Sequence, residues 1–352
     1  MIKFELANQL PYKQFIRITS GEKPLYLGTP FLGGVKFPEA GKVILNKKIL
    51  IDSNVLSDFR KNINRSTINS FLYESDQMTA EISHMFAASE LFINHESPEM
   101  AISEYYESLD SNFNILIPQG DRNEFISIMN NNIERIKKYF DILRDWLVIA
   151  KYIFNRKNGI KKHVIEFSEM VRYNHLPIFS FIYHVILVFF HVKENRGLYE
   201  GEFFNKIQSD MTYRETIEDE FESLNNVARD MAIFMMAVDI FYCFEDNVND
   251  FSWIASSDAT VGLILQEICI AEIVSKEKLS KIGVRYTQNI AKVGLRPTGI
   301  AYKQLEEIIS QYPPIEENNS LHREDSMSIK KSRLPIFASN ILKNRYKDLT
   351  SS

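Results

Sequence analysis

Two aspartates each close a short apolar run that is followed by a helix-like pattern. Ile49-Leu50-Ile51 ends at Asp52, and Phe251 to Ala255 is followed by Ser256-Ser257-Asp258. Apolar residues at successive positions suit strands of a parallel sheet, which are covered on both faces. In open α/β sheets, ligands collect outside the carboxyl ends of the strands. If these two strands are parallel neighbours, both carboxylates reach one edge. Carboxylates brought together repel one another unless a cation lies between them. Hard oxygen donors of this kind suit Mg²⁺ or Mn²⁺. A site so built, with open positions, is equipped to cleave phosphodiesters, because the metal lowers the pKa of a water and stabilises charge on the attacking and leaving oxygens.

The string KILIDSNVLSDF resembles the opening of the PIN-like nucleases, in which a strand ends in Asp-Thr/Ser-Asn-Val-Leu; here those residues are Asp52, Ser53, Asn54, Val55 and Leu56. The resemblance covers roughly residues 43–275. It implies a second acid on a following helix, matched by Glu104 in SPEMAISEYYE, and a third on a later helix, matched by Asp230 in NNVARDMAIF. A fourth follows the next strand, where Asp258 stands. It further implies that Asp52, Glu104, Asp230 and Asp258 are the catalytic residues and ligands of Mg²⁺ or Mn²⁺, with Ser53, Asn54 and Ser257 at the substrate. The activity implied is endonucleolytic cleavage, of RNA more than DNA, in a toxin or defence role. The 126-residue gap between Glu104 and Asp230 is longer than the compact family pattern.

Each residue also has a plainer role. Asp52, Ser53 and Asn54 are ordinary helix caps, Glu104 a solvated helix residue with Glu90 as its competitor, and Asp258 a turn acid. Asp230 stands where a polar helix turns apolar, with Asp239 deeper in the same run as its rival. Arg156 and His163 have the spacing of the HEPN-type ribonucleases, but Asn158-Gly159 between them predicts a turn. His184 and His191 share a helix face and read as core-edge histidines, since a metal needs further ligands. LGTPFLGG lacks the Lys and helix of a phosphate-binding loop, and the chain has no serine nucleophile elbow.

The elements that must position these groups are legible at low resolution. FIRI and PLYLG predict short strands, so residues 1–42 form a β-rich N-terminal segment. Helical spacing returns from 54 to about 108, and Ser97-Pro98-Glu99 has the form of a helix start. Residues 122–210 read as helices, placing a large helical insertion at about 111–220 within the α/β unit of 43–275. A helix is predicted over 216–244, apolar on nearly every face in its second half, and another over 260–274. The fold class expected is α/β, and the resemblance implies that its core is a PIN-like parallel sheet, here with a large helical insertion.

Composition bounds the remaining classes. The chain of 352 residues is 45 % apolar, 12 % aromatic and 25 % charged, as a globular protein with a sizeable core is. A net charge of −5 argues against a protein that coats nucleic acid by bulk positive charge. Residues 276–352 depart from this, with 14 Lys and Arg against 8 Asp and Glu. They read as a basic, partly flexible C-terminal segment in which Arg285, Lys292, Arg296, Lys330, Lys331 and Arg333 are the positions to test against phosphate, although an ordinary solvated surface accounts for them slightly better. Two cysteines make no disulfide framework. The start MIKFELANQL is unlike a signal peptide, and the apolar run 176–190 is short for a bilayer. A cytoplasmic protein without a membrane partner is expected. Its partners would be an RNA or DNA substrate. The alternative is a non-enzymatic interaction protein whose helical insertion binds a protein partner or a second copy.

Overall fold

The computed structural model describes residues 2–7, 15–21, 23–31, 34–36, 44–61, 119–176, 180–240, 248–279, 285–311 and 333–350, with 66, 67, 70, 71, 73, 81–83, 86–88, 99, 100, 102, 103, 105–107 and 178 (177 and 179 excepted). The fold is mixed α/β and mostly helical.

Strand β5 (Ile44–Ile51) lies between β6 (Glu81–Ser83) and β7 (Val248–Ser256) and is parallel to both. Its partnership with β7 runs in register from Ile44 opposite Val248 to Ile51 opposite Ala255. Ile49, Leu50 and Ile51 are buried, as are Trp253, Ile254 and Ala255, which is why both segments read as continuous apolar runs. On the far side of β7, β3 (Leu25–Gly28) pairs antiparallel, and β2 (Phe15–Ile18) pairs antiparallel with β3. The sheet order is therefore β2-β3-β7-β5-β6. A second, wholly antiparallel sheet takes β1 (Ile2–Ala7), β4 (Gly34–Lys36), β8 (Ile268–Leu279) and β9 (Arg285–Leu295) in the order β4-β1-β8-β9.

The helix expected over 260–274 is the main correction. It ends at Glu267, and the chain enters β8 at Ile268. Ile268-Cys269-Ile270 is fully buried, and the Ile270 amide donates to the Pro30 carbonyl at 2.7 Å. The β-branched pair fits a covered pleated surface, and pairing with β9 overrides the apolar spacing that looked helical.

Helix α1 (Ser53–Arg60) follows β5 directly. The region read as a helical insertion is helical: α2 (Gln119–Phe154), α3 (Ile160–Tyr173), α4 (Ser180–Glu194) and α5 (Gly201–Met211). Helix α4 is the hydrophobic centre, with every residue from Phe181 to Val192 buried except His184. Phe181 stacks on Phe234, and Phe167 packs edge-on against Phe190. Among the described residues no helix is long and apolar enough to cross a membrane. Helix α6 (Ile217–Ile240) packs on α2 and β7. Helix α7 (Ala259–Glu267) follows β7 and lies against β3, α5 and α6. A side chain at Gly262 would put its Cβ 2.5 Å from the Tyr26 ring, so this helix approaches β3 as closely as it does only because position 262 is glycine.

A buried ion pair ties the helices together. Lys151 of α2 and Glu220 of α6 lie 2.8 Å apart with both side chains fully buried. Glu220 also accepts from the Arg214 amide at 2.8 Å and from the Tyr346 hydroxyl at 3.2 Å. Tyr346 belongs to α9 (Leu334–Thr350), which packs along α2; the intervening helix is α8 (Tyr302–Gln311).

Candidate active site

The register of β5 and β7 brings two sequence-distant acids to the same carboxyl edge. The Asp52 amide donates to the Ala255 carbonyl at 3.0 Å, which extends the parallel ladder by one step and sets Asp52 beside Ser256. The Ser256 hydroxyl donates to Asp52 Oδ2 at 2.5 Å and accepts from the Asp258 amide at 3.0 Å. One serine thus joins the two strand ends. Asp52 is 3 % exposed. Its other oxygen accepts from the Asn54 amide at 3.2 Å and the Ser53 hydroxyl at 3.3 Å. Burial raises its pKa and the neighbouring Asp258 charge adds to this, against the hydrogen bonds from Ser256, Asn54 and Ser53 that pull it down.

Both strand-end aspartates also cap helices. Asp52 accepts from the amide two residues on at the start of α1, and Asp258 Oδ1 accepts from the Thr260 amide at 2.6 Å at the start of α7. Capping and chemistry use different lone pairs of the same carboxylate, so neither role displaces the other.

Two helices complete the cluster. Lys206 of α5 places Nζ 3.1 Å from Asp258 Oδ2, 3.0 Å from Asp210 Oδ2 and 3.8 Å from Asp230 Oδ2. Asp210 is one turn further along α5 and accepts from the Thr260 hydroxyl at 3.0 Å. Helix α5 is held against the sheet one turn before Lys206, where Glu202 accepts from the Tyr26 hydroxyl and from Arg17 Nε, both at 2.6 Å. Burial raises the Asp210 pKa and outweighs Lys206, which lowers it. For Lys206 burial acts downward, but the charges of Asp258, Asp210 and Asp230 overcome it and hold the ammonium above its ordinary range.

Of the acids expected from sequence, Asp52 and Asp258 meet through Ser256, and Asp230 is linked to Asp258 only through the Lys206 ammonium. Glu104 and its competitor Glu90 lie outside the described residues, as do Lys330 and Lys331, and the Asp239 side chain is not described. Ser53 hydrogen-bonds Asp52, whereas Asn54 does so through its backbone while its side chain is exposed. Ser257 sits half-buried in the turn, and the bridging role belongs to its neighbour Ser256. Lys206 and Asp210 stand outside the set of residues expected from sequence. The available signal was an acid on an apolar face: Asp210 shares the buried side of α5 with Phe203, Ile207 and Met211.

Other sequence readings resolve differently. Arg296 is no surface phosphate contact: it is 2 % exposed and donates to the Leu265, Thr29 and Ile268 carbonyls at 2.7–3.2 Å. Arg156 is engaged with Glu166 and Tyr152, while His163 is buried against the Arg156 carbonyl. His184 meets the Ser180 carbonyl, and His191 uses both ring nitrogens on Tyr199 and Gln304. Burial lowers all three histidine pKa values, as in core histidines.

Among the described residues, no three carboxylate, imidazole or thiolate groups stand close enough to enclose a metal ion as they lie. The focus of the helix carboxylates is taken by the Lys206 ammonium. In comparisons with known proteins, no family model, curated protein or solved structure matches the chain.

Proposed function

We propose that this edge is the active site of a metal-dependent nuclease of PIN-like type, acting on RNA. The observation that carries the reading is the meeting of two carboxylates, Asp52 and Asp258, at the carboxyl ends of neighbouring parallel strands. Asp52 and Asp258 are joined through Ser256, and Asp258, Asp210 and Asp230 through Lys206. The parallel trio β6-β5-β7, with an Asp-Ser-Asn string closing its central strand, supports the PIN-like assignment.

The donors are hard carboxylate oxygens, the kind Mg²⁺ and Mn²⁺ prefer, but among the described residues no three of them enclose a position for the ion as they lie, and Lys206 occupies the focus of the helix carboxylates. Asp52, Asp230 and Asp258 would hold the ion, with Asp210 beside them. When bound, such an ion activates water and stabilises charge on a phosphodiester. The protein's own groups do the rest: Ser256 and the Asn54 amide fix the orientation of Asp52, and the Thr260 amide fixes Asp258.

The test is cleavage of single- and double-stranded RNA and DNA in Mn²⁺, comparing wild type with Asp52→Asn and with an EDTA control. Metal-dependent RNA cleavage that falls by at least about 10²-fold in the variant is expected, the scale on which a positioned charge or base contributes. Equal inactivity of both proteins on all substrates would move the assignment to the second reading, a non-enzymatic interaction protein. One observation favours that reading: Lys206 satisfies three of the carboxylates and fastens α5 to α6 and α7, as a purely structural ion network would.

A further inference from the structure

The turn between α2 and α3 and the last turn of α4 enclose a cavity of about 410 Å³, within the size range of small-molecule sites. Its walls carry three cations, Arg156, Lys157 and Lys193, against one acid, Glu194, in a chain whose net charge is −5. Arg156 is engaged with Glu166 and Tyr152. Among the described residues, neither Lys157 nor Lys193 lies within ion-pairing distance of a carboxylate. Lys193 is nevertheless fixed in place. Its ammonium donates to the Phe154 carbonyl and, at 2.9 Å, to the Arg156 carbonyl, and it stands 5.0 Å from the centre of the Phe154 ring. An ammonium has three donors, so one is left for the cavity. Burial lowers the Lys193 pKa, with the Glu194 charge acting the other way. A partly buried ammonium without a paired carboxylate is stabilised by an incoming anion.

The surroundings add positive charge rather than offset it. His163 is buried behind the turn, and its pKa is lowered by burial first and by the Lys193 charge next. Helix α3 starts after Gly159 without a side-chain cap, and its first turn holds Lys161 and Lys162 but no acid, the reverse of the usual placement at a helix start. The floor is rigid. The Asn155 side-chain amide donates to the Lys151 and Met211 carbonyls at 2.8 and 2.7 Å, which joins the ends of α2 and α5. We propose that this cavity binds the phosphoryl group of a phosphate monoester. The Lys193 ammonium meets it from the wall and the Lys157 ammonium from the rim, with the side-chain amides of Asn158 and Gln208 as neutral donors. Fixed cations with amide donors suit a phosphoryl group, which brings close to two negative charges and three strong acceptor oxygens; a carboxylate brings one charge and two oxygens. The cavity is separate from the candidate active site: Gln208 faces it from α5, whereas Lys206 and Asp210 of the same helix belong to the carboxylate cluster.

A free nucleotide and the 5′ end of an oligonucleotide present the same group, and one experiment separates them. Calorimetric titration of the full chain, in EDTA so that no divalent ion takes part, compares AMP with adenosine and a short 5′-phosphorylated oligoribonucleotide with its 5′-hydroxyl twin. The expected result is a Kd below about 1 mM for at least one phosphorylated probe, with its unphosphorylated counterpart at least about tenfold weaker. Binding of AMP assigns the phosphoryl group to a free nucleotide, and binding of the oligoribonucleotide alone assigns it to a nucleic-acid end; both support the site. Two variants locate it. Lys193→Gln removes the charge and keeps an N–H donor for the carbonyls at the end of α2. Lys157→Glu reverses an exposed charge at the rim, so it reports on the cavity even if Lys193→Gln does not fold. Each variant should bind the probe at least about tenfold more weakly than wild type. Absence of binding by both phosphorylated probes, equal binding of phosphorylated and unphosphorylated partners, or unchanged affinity in Lys157→Glu overturns the proposal.

Discussion

Asp258→Asn separates the structural from the metal-binding role of one carboxylate. Asparagine caps helices about as well as aspartate, so the contact to the Thr260 amide survives. What is lost is the charge 3.1 Å from Lys206. At an effective dielectric of about 20 that pair is worth roughly 5 kcal/mol before solvation is counted. Two effects oppose it: desolvation of both groups, and relief of the repulsion Asp258 exerts on Asp52 and Asp210. The net cost in the metal-free protein is therefore about 1–2 kcal/mol. With an unfolding entropy of about 2.1 cal/mol/K per residue, the 352 residues give about 0.74 kcal/mol/K, so Tm falls by about 1–3 °C. The metal response is the larger signal. At a Mn²⁺ concentration of about 100 Kd, wild type gains about 2.7 kcal/mol, or about 4 °C. A variant binding about a hundredfold more weakly gains about 0.4 kcal/mol, or about 0.6 °C. Differential scanning fluorimetry with and without Mn²⁺ resolves the two. An unchanged Mn²⁺ shift in Asp258→Asn would refute the placement of the ion, and a drop in Tm of about 10 °C without metal would refute the claim that asparagine preserves the cap.

Two further expectations concern groups outside the cluster. Lys151→Met leaves Glu220 fully buried without its counter-charge, which should cost about 3–5 kcal/mol, or about 4–7 °C in Tm on the same entropy scale; a loss under about 1 °C by thermal denaturation would mean Glu220 is neutralised another way. Asp145 is buried, and burial raises its carboxyl to about 6 despite Arg144, with Asp141 adding to the rise. Its folded pKa lies above the ordinary value of about 3.9, so its contribution is most favourable below about pH 4 and is lost as pH rises through about 6. Asp145→Asn should remove that slope and stabilise the protein by up to about 3 kcal/mol at pH 7. Urea unfolding at several pH values checks this, and parallel pH dependence in wild type and variant would contradict it.

The amino-acid sequence by itself determined the elements whose signals are local. Burial on both faces makes Ile49–Ile51 and Trp253–Ala255 read as inner strands, and they are parallel neighbours. Helical spacing over the long middle region, and the aromatic run that became α4, were likewise legible. Asp52, Asp230 and Asp258 could be named because each sits at a boundary where a polar group needs a reason. Tertiary structure decided what depends on pairing across distance. Ile268 to Val274, expected as helix from its apolar spacing, lies in a strand because β1 and β9 pair with it. Arg296 belongs to a basic stretch of sequence yet is buried, because three backbone carbonyls brought together by the fold need a donor. Lys206 and Asp210 look in sequence like an ordinary helix-surface ion pair four residues apart. Only the packing of α5 against α7 turns that pair inward to face Asp258 across the cluster. Charge acts through space rather than along the chain, so the central cation of this site is set by helix packing.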